Sequence, residues 1–153
     1  KTTTTTTTTT TKPSTTTTTT QADVPSAGDY KSSFESEVIR LVNEYRKENG
    51  KAPLKHDPSL HRSARVRAEE ISRKFSHTRP NGTTCFTAIT IRYTTAGENI
   101  AMGHRTPEAV MRGWIKSDGH RKNLLNDSFD TIGVGCYEEG GIIYWAQMFI
   151  KAR

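Results

Sequence analysis

The chain has 153 residues, and its 22 Lys and Arg against 16 Asp and Glu give a net charge of +6. No run approaches the ~18 consecutive apolar residues that a membrane helix requires, and no basic stripe is interleaved with aromatic residues of the kind that binds nucleic acid. Length, composition and charge therefore predict neither a membrane span nor nucleic-acid binding, and the excess basic residues are expected to form a solvated face.

The first thirty residues are predicted to form a disordered linker or stalk. Thr fills positions 2–11 and 15–20, and such a polar tract lacks the apolar surface that offsets the entropy of ordering. Thr tracts with Ser and Pro are typical of O-glycosylated stalks and wall-spanning spacers, which indicates a secreted or cell-surface protein. Because the chain begins at Lys1 without Met, we expect that a preceding segment was removed or left out. Residues 31–153 have the typical size of one domain.

Two amphipathic helices are predicted after the linker. Apolar residues recur at helical spacing over 34–50, where Gly50 provides a stop. Asp57 and Pro58 supply an N-cap and a first helical residue for the second helix. The apolar face of that helix continues to about Ser76.

The middle of the chain is rich in breakers. The segment HTRPNG, at 77–82, predicts a turn, because Pro, Asn and Gly all disfavour regular structure. A shorter helix is predicted over 85–91. The segment TTAGENIAMG, at 94–103, interrupts the helical rhythm, and we interpret it as a loop that enters a short strand.

A third helix is predicted from Thr106 and Pro107 to Ser117. Gly119 is expected to end it, and 120–125 to add one more turn. The segments 131–138 and 141–150 are typical of a β-hairpin with a Glu-Glu-Gly-Gly turn. Because the helices come first and the strands last, the sequence predicts an α+β fold with an antiparallel sheet.

The two cysteines, Cys85 and Cys136, are predicted to form a disulfide, since a single pair in an extracellular chain is most simply one bridge. Closing this loop would stabilise the fold by about 4 kcal/mol in the chain-entropy model. The alternative is two buried reduced thiols. A catalytic cysteine is less favoured, because neither residue is next to an activating His in the sequence.

Two of the five histidines are candidates for function. His77 and His120 stand at helix-to-loop junctions beside Gly-containing breaks, and functional side chains concentrate in such loops. Three other histidines are expected to be solvated: His56, His61 and His104.

Glu98, in the segment AGENIA, is the notable acid. A carboxylate at the start of an apolar strand is costly to bury without a partner, so we expect either water or a cationic or hydrogen-bonding group to meet it. Two His and one Glu are ligand types that zinc prefers. The sequence contains no HExxH, CxxC or GxSxG motif.

The ordered set of motifs resembles the CAP superfamily of cysteine-rich secretory proteins, insect venom antigens and plant pathogenesis-related proteins. It is most similar to the bacterial branch of secreted SCP-domain proteins, over about residues 34–149. The motifs are LVNEYRKENGKAPL, SHTRPNG, AGENIAMG, a Thr-Pro-Glu helix with Trp114, SDGHRKNLLN, IGVG and YWAQMF.

The resemblance implies an α-β-α sandwich, with a central antiparallel sheet between helix layers and a cleft over it. In the family two His and two acidic residues line the cleft, and the two His can bind zinc or another divalent cation. His77 matches the first His, Glu98 the Glu of the GEN motif and His120 the second His. The remaining acid is unmatched, because Ser117 and Asp118 stand in its place, so we expect a weaker or differently filled metal site.

The resemblance also implies further cleft residues beside Glu98, namely Asn99, Ser117, Arg121 and Gln147. We expect Arg121 to fix the turn at SDGHRKNLLN by hydrogen bonds to nearby backbone or carboxylates.

The function indicated is a secreted binding module, monomeric, that takes a small ligand, lipid or peptide in its cleft or meets a cell-envelope or host-surface component. The alternative is an extracellular hydrolase, for which His77, Glu98 and His120 are the candidate catalytic residues. Glu98 would then be the general base beside a metal-bound water. A metal-free version would need Ser117 as nucleophile and His120 as base. The family has no single reaction, so the sequence leaves open whether the chain is an enzyme.

Overall fold

The computed structural model describes residues 27–153, so the predicted linker lies outside it except for its last four residues. Asp29 and Tyr30, the last two residues of the predicted linker, form a strand. The elements in chain order are β1 (Asp29–Tyr30), α1 (Ser32–Glu48), β2 (Lys55–His56), α2 (Pro58–Arg73), a 3-10 helix (Cys85–Ala88), β3 (Tyr93–Met102), α3 (Pro107–Lys116), α4 (Asp118–Leu124), β4 (Thr131–Glu139) and β5 (Ile142–Ala152).

The strands form one sheet in the order β1-β4-β5-β3. The short strand β2 also pairs with β4, in parallel orientation. All other neighbours are antiparallel. The predicted hairpin is confirmed as β4 and β5, joined at Gly140 and Gly141, which both have positive φ as such a turn requires. The α+β fold with a central sheet is therefore confirmed.

Helices cover both faces of the sheet. Val38 and Val42 of α1 share one core cluster with Trp114 of α3 and with Trp145 and Phe149 of β5. On the other face, α2 packs against β4 and β5. This is the expected α-β-α sandwich. No helix within residues 27–153 is long and apolar enough to cross a bilayer.

The close contact between α2 and β4 depends on two glycines. A Cβ on Gly133 would lie 2.4 Å from backbone atoms of Leu60, and one on Gly135 would lie 2.3 Å from the Ala64 carbonyl oxygen. Hydrogen at these positions lets the helix backbone lie directly on the strand. The Asp57 carboxylate begins this helix by accepting hydrogen bonds from the Ser59 and Leu60 amides, as the sequence predicts.

Three predictions of local structure require correction. The segment 94–103 is not a loop but most of β3, because it pairs with β5 along almost its whole length. The helix predicted over 85–91 is a single 3-10 turn. Gly119 lies inside α4, and the break falls instead at Ser117, whose backbone is extended and separates α3 from α4.

The predicted Cys85–Cys136 disulfide is wrong, because both residues are buried free thiols. Cys136 packs with α1 and Trp145 on one face of the sheet. Cys85 begins the 3-10 helix that contacts α2, which covers the opposite face. The number of cysteines in the sequence does not show that the sheet separates Cys85 from Cys136.

Candidate functional site

A cleft of 460 Å³ opens where the segment after α2 meets β3 and α4. Its lining residues are His77, Thr78, Thr84, Cys85, Phe86, Ala96, Gly97, Glu98 and Asn123. Gly97 allows the close approach of its neighbours, since a Cβ there would lie 2.8 Å from the Phe129 ring and 3.1 Å from Asn123 Oδ1. The sequence-predicted residues His77 and Glu98 therefore meet in one concave site.

Glu98 is buried and is paired with Arg67, one of the basic residues expected on a solvated face. Its side chain is 1% exposed, and that of Arg67 is fully buried. Arg67 donates from Nε to Glu98 Oε2 at 2.7 Å and from Nη2 to Oε1 at 3.2 Å. This pairing meets the requirement that a buried carboxylate have a cationic partner.

Arg67 also ties together the elements around the cleft. It donates to Glu70 Oε1 at 2.9 Å and to the Ser76 carbonyl at 2.6 Å. Burial alone would raise the pKa of Glu70, but hydrogen bonds from Arg79 and Arg67 hold it below its ordinary value. Buried charge in α2 thus fixes the start of the segment that carries His77.

The helical spacing of Arg67 in the sequence indicates that this residue is buried. It falls on the same helical face as Leu60, Ala64 and Ile71, all of which are buried. The expectation of a solvated basic face does not hold for this arginine, because the helical spacing places it in the core.

His77 completes a chain of charged and polar groups. Its Nδ1 lies 2.8 Å from Glu98 Oε1, while the side chain is 59% exposed. Since the arginine-bound carboxylate acts as an acceptor, the neutral ring of His77 carries its proton on Nδ1 and donates. In that tautomer the second ring nitrogen, Nε2, keeps its lone pair.

His120 lies on α4, half-buried. Burial, and secondarily the repulsion that a protonated His77 would exert, lowers the pKa of His120 below its ordinary value. Its backbone carbonyl accepts from Asn99 Nδ2 at 3.2 Å. The ligand atoms that lie within 4.8 Å of one another are those of His77, Cys85 and Glu98, and His120 is not in that group in the described part of the chain.

Cys85, which the sequence analysis treated as half of a disulfide, instead belongs to the cleft. It is 3% exposed. Burial and the negative charge of Glu98 raise the pKa of its thiol to about 12. A thiol of this kind stays protonated at neutral pH and is a poor nucleophile.

Two of the predicted cleft residues lie beneath the site. Asn99 and Gln147 are fully buried, and Asn99 donates to Gln147 Oε1 at 3.1 Å. Asn99 faces away from α2 because successive residues of β3 alternate sides. Gln147 is opposite Asn99 on β5 and faces the same way. Asn123 of α4 donates to Asn99 Oδ1 at 2.9 Å and to the Glu98 carbonyl at 3.3 Å. This amide network holds α4 against β3.

The residues at the start of α4 form a turn. Arg121 donates to the Ile115 carbonyl at 3.0 Å and to the Asp118 carboxylate. The Asp118 side chain is 83% exposed. Ser117 caps the helix without a side-chain hydrogen bond. Neither Ser117 nor Asp118 contributes to the cleft lining.

Of the three histidines expected to be solvated, His61 and His104 are instead half-buried. The Nε2 of His61 lies 3.8 Å from Glu35 Oε1, and burial lowers the pKa of His61. His56 is exposed and packs edge-on against it. The ring of His104 lies against α3, 3.0 Å from where a Cβ on Gly113 would stand.

The chain matches a known protein family over most of its length. The family model described as the cysteine-rich secretory protein family, CAP, matches residues 39–149. The uncharacterized protein YkwD of Bacillus subtilis (strain 168) is 43% identical over 130 residues, which are 82% of this chain and 50% of that protein. The chain spans half or less of the curated relatives it matches.

Solved structures agree with this match. An extracellular protein containing an SCP domain from Bacillus anthracis (strain Ames) has a TM-score of 0.73 and 30% identity, over 79% of this chain and 41% of that one. An outer surface protein of Borrelia burgdorferi has a TM-score of 0.75 at 22% identity, over 82% of this chain and 99% of that one. The second likeness supports the fold alone.

Proposed function

The chain belongs to the cysteine-rich secretory protein (CAP) family, and we propose that it acts outside the cell as a binding module whose cleft holds a divalent cation at His77 and His120. The extracellular placement is supported by the Thr-rich N-terminal tract and by the description of the Bacillus anthracis relative. The cleft volume of 460 Å³ suits a small ligand or a peptide side chain.

The chain of groups from Arg67 through Glu98 to His77 carries the proposal. Histidines that bind metals usually donate their other ring N–H to a carboxylate, which fixes the tautomer and raises the basicity of the ligand nitrogen. His77 has this arrangement, with Nδ1 2.8 Å from Glu98 Oε1. Nε2 is therefore the nitrogen available to a cation.

His120 is the second proposed ligand, because it is close enough to His77 for the charge of one ring to affect the other. Metal ligation requires the neutral imidazole, and the lowered pKa of His120 favours the neutral ring at physiological pH. The bound ion would supply positive charge for a ligand's carboxylate or carbonyl oxygen.

The binding function is favoured over the hydrolase because Glu98 is poorly placed as a general base. Both of its carboxylate oxygens already accept hydrogen bonds, from Arg67 and from His77. The serine alternative also lacks support, since no hydrogen bond joins the Ser117 hydroxyl to His120 among residues 27–153. Asp118, which stands where relatives carry an acid, is exposed and paired with Arg121.

Calorimetric titration of the 153-residue chain with Zn²⁺ tests the proposal. We expect one weakly bound ion, at least tenfold weaker binding in His77→Ala and in His120→Ala, and a 10–100-fold loss in Glu98→Gln, which keeps the shape but weakens the orienting hydrogen bond. His104→Ala, outside the cleft, is the matched control and should bind like the wild type. No binding by the wild type, or binding as tight as the wild type by both His variants, would refute the cation site.

A further inference from the structure

We propose that Cys85 supplies a thiolate ligand to the cation in the cleft, so that the site selects thiophilic ions such as Zn²⁺, Co²⁺ and Cd²⁺ over Mg²⁺ and Ca²⁺. The inference rests on the proposed function, since it concerns the same cation. It assigns a role to Cys85, the lining residue with a soft ligand atom that the arguments above leave unused.

The sulfur lies within reach of His77. Cys85 Sγ, a ring nitrogen of His77 and a carboxylate oxygen of Glu98 all lie within 4.8 Å of one another. A tetrahedral ion with bonds of about 2.0–2.3 Å holds its ligand atoms roughly 3.3–3.8 Å apart. The ligand atoms need to approach one another by at most about 1.5 Å on binding, with Nδ1 of His77 still donating to Glu98.

The backbone fixes these two residues beside each other. The Cys85 amide donates to the His77 carbonyl at 2.8 Å, and Thr78 pairs with Thr84 in an antiparallel bridge. The Arg79 amide then donates to the Thr83 carbonyl at 2.8 Å. Residues 77–85 thus form a small hairpin around the turn HTRPNG. The His77 imidazole is at one end of this hairpin and the Cys85 thiol is at the other.

Sulfur is a better third ligand here than the carboxylate of Glu98. That carboxylate is already neutralised by Arg67 and hydrogen-bonded to His77. The acid expected near His120 is absent from the cleft, because Asp118 is exposed. Cys85 therefore supplies the anionic ligand that this chain otherwise lacks, and a thiolate changes the preference from hard to softer cations.

Binding converts the thiol into a thiolate. The S–H bond breaks, a sulfur lone pair forms the bond to the ion, and the proton passes to solvent. One proton is therefore released for each ion bound through sulfur. Oxidation states do not change.

Absorption spectroscopy with Co²⁺ as the probe tests the proposal on the full chain. Cobalt bound by a thiolate gives intense sulfur-to-metal charge transfer in the near ultraviolet, and cobalt bound only by imidazole and carboxylate does not. We expect this band in the wild type and in Cys136→Ala, which removes the cysteine on the other face of the sheet. Cys85→Ser should lose the band and bind Co²⁺ at least tenfold more weakly.

The possible outcomes separate this inference from the proposed function. If Co²⁺ binding depends on His77 but neither the wild type nor Cys136→Ala shows the charge-transfer band, the sulfur ligand is refuted and the histidine site stands. If Co²⁺ does not bind at all, both proposals fail. Should Cys85→Ser misfold, Cys136→Ala alone decides, because its only thiol is Cys85: the band must persist in that variant, and its loss there refutes the proposal.

Discussion

Replacing Arg67 by Met is expected to lower the free energy of unfolding by about 3–5 kcal/mol, the usual cost of removing one partner from a buried ion pair. Arg67 is fully buried and donates hydrogen bonds to Glu98, Glu70 and the Ser76 carbonyl. Met fills much of the same volume, so the loss reports the unpaired Glu98 carboxylate rather than a cavity. Urea-induced unfolding, followed by circular dichroism, measures the change.

Arg62→Met is the matched control, because Arg62 is exposed on the same helix and contacts only Ser59 through its guanidinium. It should change stability by about 0.5 kcal/mol or less. Adding Glu98→Gln to Arg67→Met should restore part of the lost stability, since it removes the charge left without its partner, while Glu70 keeps its ion pair with Arg79. Equal effects of Arg67→Met and Arg62→Met would contradict the buried pairing.

Gly135→Ala is expected to destabilise the domain by about 3 kcal/mol or more, at the upper end for overpacking. The added methyl would lie 2.3 Å from the Ala64 carbonyl oxygen and 2.5 Å from its carbonyl carbon. Both are backbone atoms, so no side-chain rotation relieves the contact. Helix α2 must move off β4, and the packing between them is lost in part. Thermal unfolding measures the effect.

Gly119→Ala provides the comparison within the same protein. Gly119 lies in α4 with no atom within 4 Å of an added Cβ. Alanine there should be neutral or raise stability by up to about 1 kcal/mol, as for a helical glycine with ordinary φ. A Gly135→Ala protein as stable as Gly119→Ala would mean that α2 does not lie on β4 as described.

Local signals in the sequence predicted the helices well. The Asp57-Pro58 and Thr106-Pro107 pairs each begin a helix, and both Asp57 and Thr106 accept capping hydrogen bonds. The alternation in the last third predicted the hairpin of β4 and β5. These signals are contained within a few consecutive residues, which is why a single sequence reveals them.

Long-range pairing was harder to predict. Strands β1 and β2 have two residues each and exist only because β4 lies beside them. Strand β3 contains Gly97, Glu98 and Asn99, which are poor strand formers, yet all three are buried. Each has a reason supplied from elsewhere in the fold: close packing at Gly97, Arg67 beside Glu98, and the amide network around Asn99.

The cleft was predicted in part for the same reason. The family motifs identified His77, Glu98 and His120, but Arg67 and Cys85 lie outside those assignments. Arg67 is 31 residues from Glu98, and its role depends on how α2 packs on the sheet. The extracellular setting suggested a disulfide for Cys85, and only the fold shows that its neighbour is His77 rather than Cys136.

The central claim is that Glu98, held by Arg67, fixes the proton of His77 on Nδ1 and leaves Nε2 free for a cation. Long-range ¹H–¹⁵N correlation spectra of the imidazole nitrogens at neutral pH measure this tautomer directly. We predict a protonated Nδ1 and an unprotonated Nε2 for His77, with Zn²⁺ shifting the Nε2 resonance. A His77 ring protonated on Nε2 in the metal-free protein would contradict the account.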